Sequence, residues 1–480
     1  MPASSMPAAM QKNSNSAGQG RVMAAPRASV HGEWSSSLFF ILAATGSAVG
    51  LGNLWRFPYL VGDNGGGAFV VIYLLCILLV GLPIMMAEIM IGRRGRHSPI
   101  NSLRLIARDE GLSPAWQGLG WLGVAAGFMI LSFYSVVGGW ALYYGFEAFQ
   151  GGFRGIDTDT AGTLFEGVLA SPGLVVLWHS VFLLLLFGIV AAGVKSGLQR
   201  AVTWLMPLLF LLLLFLVLYG ALTGGFAETL AFMFQPDFSV IDGGTILTAL
   251  GQAFFTLSLG MGAIMVYGAY LPSRASIPAN TLWIVGMDTL TAIIAGLAIF
   301  PIVFSAGMEP GQGPGLVFVT LPVVFGEIML GTLLGMAFFV LLSVAAITSG
   351  ISLLEPAVAY LTERGPLGRA GAAAIIAFAI WLLGIAAGLS LNVWADVRIL
   401  PFADLGIFDL LEFVSNDIML PLGGLLIAVF AAWRIRPRTR LAELGMQPDS
   451  LRFRLWLVIT RFVAPLAVVF VFLNALGLFG

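Results

Sequence analysis

Charge is what this sequence has least of: Asp, Glu, Lys and Arg make up 10% of its 480 residues, against 59% hydrophobic ones. So few charged groups cannot clothe a soluble surface around that much apolar side chain, and lipid must be the solvent. A net charge of −1 offers no basic face to a polyanion, so no nucleic acid is expected as a partner. Cysteine is nearly absent, and Cys76, alone in an apolar run, excludes an internal disulfide. Histidine is equally scarce: His31, His97 and His179 lie far apart. With no Cys/His cluster, no His-Glu-x-x-His and no Gly-x-Ser-x-Gly, the chain does not read as an enzyme.

Long apolar runs are abundant instead. Crossing the hydrocarbon takes roughly 20 apolar residues, and eleven stretches qualify: 38–60, 67–91, 119–149, 173–193, 201–222, 246–271, 279–306, 327–361, 371–391, 401–433 and 453–479. Residues 1–33 are polar and lack the apolar core of a signal peptide, which predicts a disordered cytoplasmic tail. Arginines orient the spans, because cytoplasmic loops retain them. Arg93, Arg94, Arg96, Arg104 and Arg108, then Lys195 and Arg200, Arg274, Arg364 and Arg369, and the run from Arg434 to Arg454 fall on one side. The opposite loops hold only Arg154 and Arg398 among several acids. The expected topology is a multi-pass protein of a bacterial inner membrane, with its N-terminus cytoplasmic and its C-terminus outside.

Two spans are unlike the rest. The first contains Gly46-Ser47-Ala48-Val49-Gly50-Leu51-Gly52-Asn53 and the sixth Thr256-Leu257-Ser258-Leu259-Gly260-Met261-Gly262. Each glycine weakens a helix by roughly 1 kcal/mol against alanine, and Ser, Thr and Asn compete for its backbone hydrogen bonds. Small residues also let helices pack closely, but two polar, glycine-broken stretches five spans apart point to interrupted helices lining a cavity. The expected fold is all-α, with eleven transmembrane helices in a 5+5 inverted repeat whose helices 1 and 6 are discontinuous. Residues 34–222 form the first repeat, 223–433 an extracellular loop and the second, and 434–480 a cytoplasmic loop and the last helix.

The stretches Ala48-Val49-Gly50-Leu51-Gly52-Asn53-Leu54-Trp55-Arg56-Phe57-Pro58-Tyr59, Asn64-Gly65-Gly66-Gly67-Ala68-Phe69, Gly251-Gln252-Ala253-Phe254-Phe255-Thr256-Leu257-Ser258 and Ala345-Ala346-Ile347-Thr348-Ser349 carry a resemblance to the neurotransmitter:sodium symporter family. The resemblance runs over most of residues 34–363 and implies the leucine-transporter type of fold and sodium-coupled uptake. It implies two Na+ sites. One uses the Ala48 carbonyl with Asn53, Thr256 and Asp288; the other uses carbonyls of Gly46, Val49 and Ala345 with hydroxyls of Thr348 and Ser349. Both are all-oxygen shells, which suit a hard cation. The substrate carboxylate is expected at the amides of Leu51 and Gly52 and at the hydroxyl of Tyr134, with its ammonium at carbonyls of Ala48, Phe255, Thr256 and Ser258.

Relatives that carry monoamines resemble this chain but have an aspartate where it has Gly50, which is expected to leave space and to favour an amino acid bringing its own carboxylate. Ile130, Tyr134, Phe255, Met261, Ser349 and Leu353 would line a largely apolar side-chain pocket. Met261 replaces an aromatic residue common in the family, and its flexible thioether suits a large or aromatic side chain. The family implies an outer gate between Arg56 and an acid of the tenth span, Glu412 or Asp409. For the inner gate it implies Trp34, Tyr270 and Glu363. The arginine expected opposite Glu363 is missing: His31 stands there, with Arg27 one turn earlier, which makes a pH-sensitive closure conceivable. Asp288, where relatives carry asparagine, would supply a permanent negative charge beside Tyr73 and Gln252 and make transport chloride-independent. Glu88 and Glu355 are expected to satisfy backbone freed by the breaks.

Overall fold

The computed structural model describes residues 28–222, 224–307, 315–400 and 404–475. The expected tail therefore lies mostly outside the described residues, as do Arg27 and Glu309. Among the described residues there is helix and no strand. In lipid every backbone polar group must be paired internally, and apolar runs of this length pair theirs within single helices.

Nine uninterrupted spans are Gly67–Gly95, Pro114–Gln150, Pro172–Ala191, Val194–Leu222, Ile277–Ser305, Gly331–Arg364, Arg369–Leu389, Ile407–Arg434 and Leu451–Phe470. The first span is a pair, Ser37–Ala48 and Gly52–Asp63, bent by 50°. The sixth consists of Gly243–Thr256 and Ala263–Ala269. Together they make the eleven expected crossings. Apolar counting alone missed four shorter helices, Pro99–Glu110, Thr158–Ala170, Phe226–Phe234 and Pro437–Leu444. It also missed Leu316–Glu327, taking only its last residue, Glu327, as the start of the eighth span, although Ile328 leaves the helix in an extended conformation.

Burial separates the spans by position. In the eighth, 89% of the most apolar window is buried and in the third 72%, while the fourth, fifth and eleventh bury 28–33% and show their Leu and Phe faces to lipid. The third and eighth, equivalent members of the two halves, pack on each other and form the wall against which both broken spans lie.

The breaks form where the sequence cannot sustain the ladder. In the first span Val49 turns to an extended ψ of 96°. In the sixth, Ser258, Gly260 and Gly262 take φ of 53°, 82° and 77°. Gly260 needs both its φ and its bareness, since a Cβ there would lie 2.5 Å from the carbonyl oxygen of Leu420.

Candidate functional site

The two breaks face each other and satisfy each other's loose ends. The Ser258 hydroxyl donates to the carbonyl of Ser47 at 2.9 Å and the Ser349 hydroxyl to the same oxygen at 3.1 Å. The side-chain amide of Gln252 donates to the Gly52 carbonyl at 2.9 Å. The Gly260 N–H donates to Glu88 Oε1 at 2.7 Å, so this buried carboxylate does hold freed backbone.

Between the breaks is a pocket lined by Ala48, Leu51, Gly52, Ile130, Tyr134, Phe255, Ser258, Met261, Ser349 and Leu353, with Ser47 and Gly50 completing it. Ten of the residues expected around a substrate therefore converge, while Thr256, the other, turns its hydroxyl away toward Asp288. The void these walls leave is about 20 Å³, so an amino acid can enter only if they move apart. Among its polar groups, the Leu51 N–H meets the Tyr134 hydroxyl oxygen at 3.4 Å. This amide starts a half-helix, whose free N–H groups and dipole favour an anion.

The space at Gly50 is not vacant, contrary to expectation. A Cβ there would stand 2.3 Å from Ser349 Oγ and 3.1 Å from Tyr134 Oη. Glycine is required here because two functional hydroxyls crowd the first span.

Beside the pocket, Asn53, Thr256 and Asp288 form a buried oxygen-rich cluster. Asn53 Nδ2 donates to Asp288 Oδ1 at 2.9 Å, and Thr256 Oγ1 lies 3.1 Å from both Asn53 Oδ1 and Asp288 Oδ1. On the other flank the Thr348 hydroxyl donates to the Ala345 carbonyl at 3.0 Å and Ser349 Oγ lies 3.4 Å from the carbonyl of Gly46, with Val49 in the break between. Neutral carbonyls and hydroxyls with at most one carboxylate match a monovalent hard cation better than a soft metal.

On one side of the pocket lies a vestibule whose walls include Trp55, Arg56, Tyr59, Phe133, Phe408, Glu412 and Asn416. Glu412 lines it, whereas Asp409 is exposed elsewhere, which decides between the two acids left open above. Arg56 and Glu412 make no ion pair within 4.0 Å among the described residues; the Arg56 guanidinium lies over the Phe255 ring at 5.1 Å, as a lid on the pocket.

Below the pocket the path is closed. Trp34 Nε1 donates to the Tyr267 carbonyl at 3.1 Å, and its ring meets that of Tyr270 at 6.0 Å. His31 takes the place of the missing arginine, its Nε2 lying 2.8 Å from Glu363 Oε1. Glu363 also accepts from the backbone and hydroxyl of Ser98, each at 2.6 Å, and from Asn101. Ser98, which precedes the helix Pro99–Glu110, and Asn101, in its first turn, escaped sequence reasoning because that stretch carries no motif. Glu355 corrects another expectation: it accepts from the Tyr270 hydroxyl at 2.6 Å and pairs with Arg369, so it holds these side chains rather than freed backbone.

Paired half-helices enclosing a small pocket, closed above by a cation over an aromatic ring and below by an aromatic plug, define a secondary transporter of the membrane. The family model described as "Sodium:neurotransmitter symporter family" matches residues 31–154 and 164–479, and the chain belongs to that family. It is 39% identical over 448 residues to the uncharacterised sodium-dependent transporter YhdH of Bacillus subtilis, covering 93% of this chain and 98% of that one. An uncharacterised sodium-dependent transporter of Haemophilus influenzae is 34% identical, over 92% of this chain and 98% of its own. The crystal structure of MhsT in complex with L-phenylalanine superposes with a TM-score of 0.85 at 46% identity, covering 92% of this chain and 99% of that one. The protein is thus a sodium-dependent transporter and not an enzyme.

Proposed function

We propose that the protein imports a hydrophobic amino acid, with room for a large or aromatic side chain, coupled to sodium ions at two sites. The observation that carries this reading is the juxtaposition of the half-helix amide of Leu51, beside the Tyr134 hydroxyl, with an apolar chamber of Ile130, Phe255, Met261 and Leu353. The amide end suits a carboxylate and the chamber a side chain without charge. The neighbour crystallised with L-phenylalanine, at 46% identity, supports an aromatic substrate. Phe255 and Met261 are the walls that must yield, and methionine yields at low cost.

In the mechanism that follows, the Asn53–Thr256–Asp288 cluster with the Ala48 carbonyl holds one sodium, whose shell the substrate carboxylate completes. Gly46, Val49, Ala345, Thr348 and Ser349 hold the second. A shared ligand makes coupling direct, so sodium and substrate raise each other's affinity by the same factor. Arg56 then swings from Phe255 toward Glu412 to close the outside, and release from the second site lets Trp34, Tyr270 and the His31–Glu363 pair part on the inside. The Asp288 carboxylate balances the charge of the first sodium, so external chloride is not required. Arginine distribution supports a bacterial inner membrane with the N-terminus inside and the C-terminus outside.

The test is uptake of radiolabelled leucine, phenylalanine and tryptophan into proteoliposomes under an inward sodium gradient, against equal potassium. Accumulation that needs sodium and persists in gluconate is expected. Sodium-dependent binding without accumulation would make the protein a sensor, and uptake lost in gluconate would remove the role given to Asp288.

A further inference from the structure

The tenth span ends on Arg434, the segment after it carries Arg436, Arg438 and Arg440, and the eleventh span carries Arg461. Two of these converge. The carbonyl of Ala432, in the last turn of the tenth span, accepts from Arg440 Nη1 and from Arg461 Nη2, the latter at 2.8 Å. A helix C-terminus attracts one cation readily, but two guanidiniums on one oxygen hold like charges within a few ångströms of each other. Neither has a carboxylate within 4.0 Å among the described residues. The acid on that side, Glu110, already accepts from Arg436 at 3.0 Å and from Thr439 at 2.7 Å. Arg440 is only 4% exposed, and the Nε atoms of both arginines are buried without a partner. Burying a cation is expensive unless an anion accompanies it.

The surroundings indicate which anion. Trp433 is 52% exposed, lies under the Arg461 guanidinium at 4.8 Å, and donates its Nε1–H to the Arg461 carbonyl at 3.2 Å. A half-exposed tryptophan at the end of a span marks the level of lipid headgroups. From Arg461 an apolar stripe of Phe462, Leu466 and Phe470, all exposed, runs along the eleventh span into the hydrocarbon. A free phosphate would use the arginines and leave that stripe idle, whereas a lipid uses both.

We propose that Arg440 and Arg461, converging on the Ala432 carbonyl beside Trp433, bind the phosphate of an anionic phospholipid whose acyl chain lies along Phe462 and Leu466. The inference is independent of the transported substrate and of which face of the membrane is cytoplasmic. Its test is lipid retention and thermal unfolding of the full chain in nanodiscs of phosphatidylcholine alone or with about 20% phosphatidylglycerol. Native mass spectrometry should show phosphatidylglycerol retained over phosphatidylcholine, and unfolding should shift upward in the mixed discs. Arg461→Gln should weaken retention about five-fold, the factor expected per arginine at a membrane surface. Arg438→Gln, at an exposed arginine of the same loop, should leave it unchanged. Arg440→Gln should act like Arg461→Gln; if it does not fold, the partly exposed Arg461 decides. Equal retention in wild type and Arg461→Gln would overturn the proposal, and so would the same upward shift from inorganic phosphate in phosphatidylcholine discs.

Discussion

At the scale of single residues the site depends on what glycine and aspartate allow. Gly50 lets Ser349 Oγ sit where any other residue would place its Cβ, 2.3 Å away. Gly50→Ala should leave the protein folded but push the Ser349 hydroxyl from the Gly46 and Ser47 carbonyls. Overpacking of this kind costs about 1–3 kcal/mol, so sodium-dependent substrate binding should weaken roughly 10-fold or more. Scintillation-proximity binding on purified protein reads this directly. Asp288 has a different lesson: its carboxylate accepts from Asn53 at 2.9 Å in a place closed to water. Asp288→Asn keeps the shape and removes the charge. Uptake by this variant should demand chloride, with little remaining in gluconate, whereas the native chain should transport equally in both buffers.

Elements are held by hydrogen bonds from outside them. The sixth span can break because Glu88, on the second span, takes the Gly260 N–H at 2.7 Å. Glu88→Gln retains an acceptor and should be nearly neutral. Glu88→Leu orphans a buried donor and should cost about 1–3 kcal/mol, read as a lowered unfolding temperature in detergent. Gly260→Ala should be worse than either, since the positive φ and the Leu420 carbonyl both oppose a Cβ. The same reasoning explains why the third and eighth spans are the most buried: they must brace half-helices that cannot brace themselves.

On the side of the pocket away from the vestibule, the whole molecule is closed with a histidine where the family resemblance implies an arginine. Glu363 is fixed by Ser98 and Asn101, so its affinity for His31 is the variable part of the closure. Arg96 and Glu33 pair nearby, and Tyr270 packs edge-on against the His31 ring at 5.8 Å. What His31 contributes to this closure is a contact of 2.8 Å with Glu363. A thiol introduced as Tyr267→Cys in a Cys76→Ala background should be labelled faster when His31→Ala removes that contact. His31→Arg, which sets a permanent charge beside Glu363, should be labelled no faster than the parent.

The sequence by itself determined the solvent, the number of crossings and the two interrupted helices, while nearly every residue that meets at the pocket was legible only through the family resemblance. The physical reason is that lipid forces apolar runs into helices, and a clustered Gly/Ser/Asn stretch in such a run has few structures open to it. Tertiary structure alone decided what depended on distance and direction. Glu412 lines the vestibule while Asp409, on a similar helix face, is exposed and does not, because it lies in the first turn of the helix that begins at Ile407. Glu355 was legible as a buried acid, but its partners Tyr270 and Arg369 come from the sixth and ninth spans. The crowding at Gly50 could not be read either, since the hydroxyls that fill it belong to residues 134 and 349 and are brought there only by the packing of the third and eighth spans on the first.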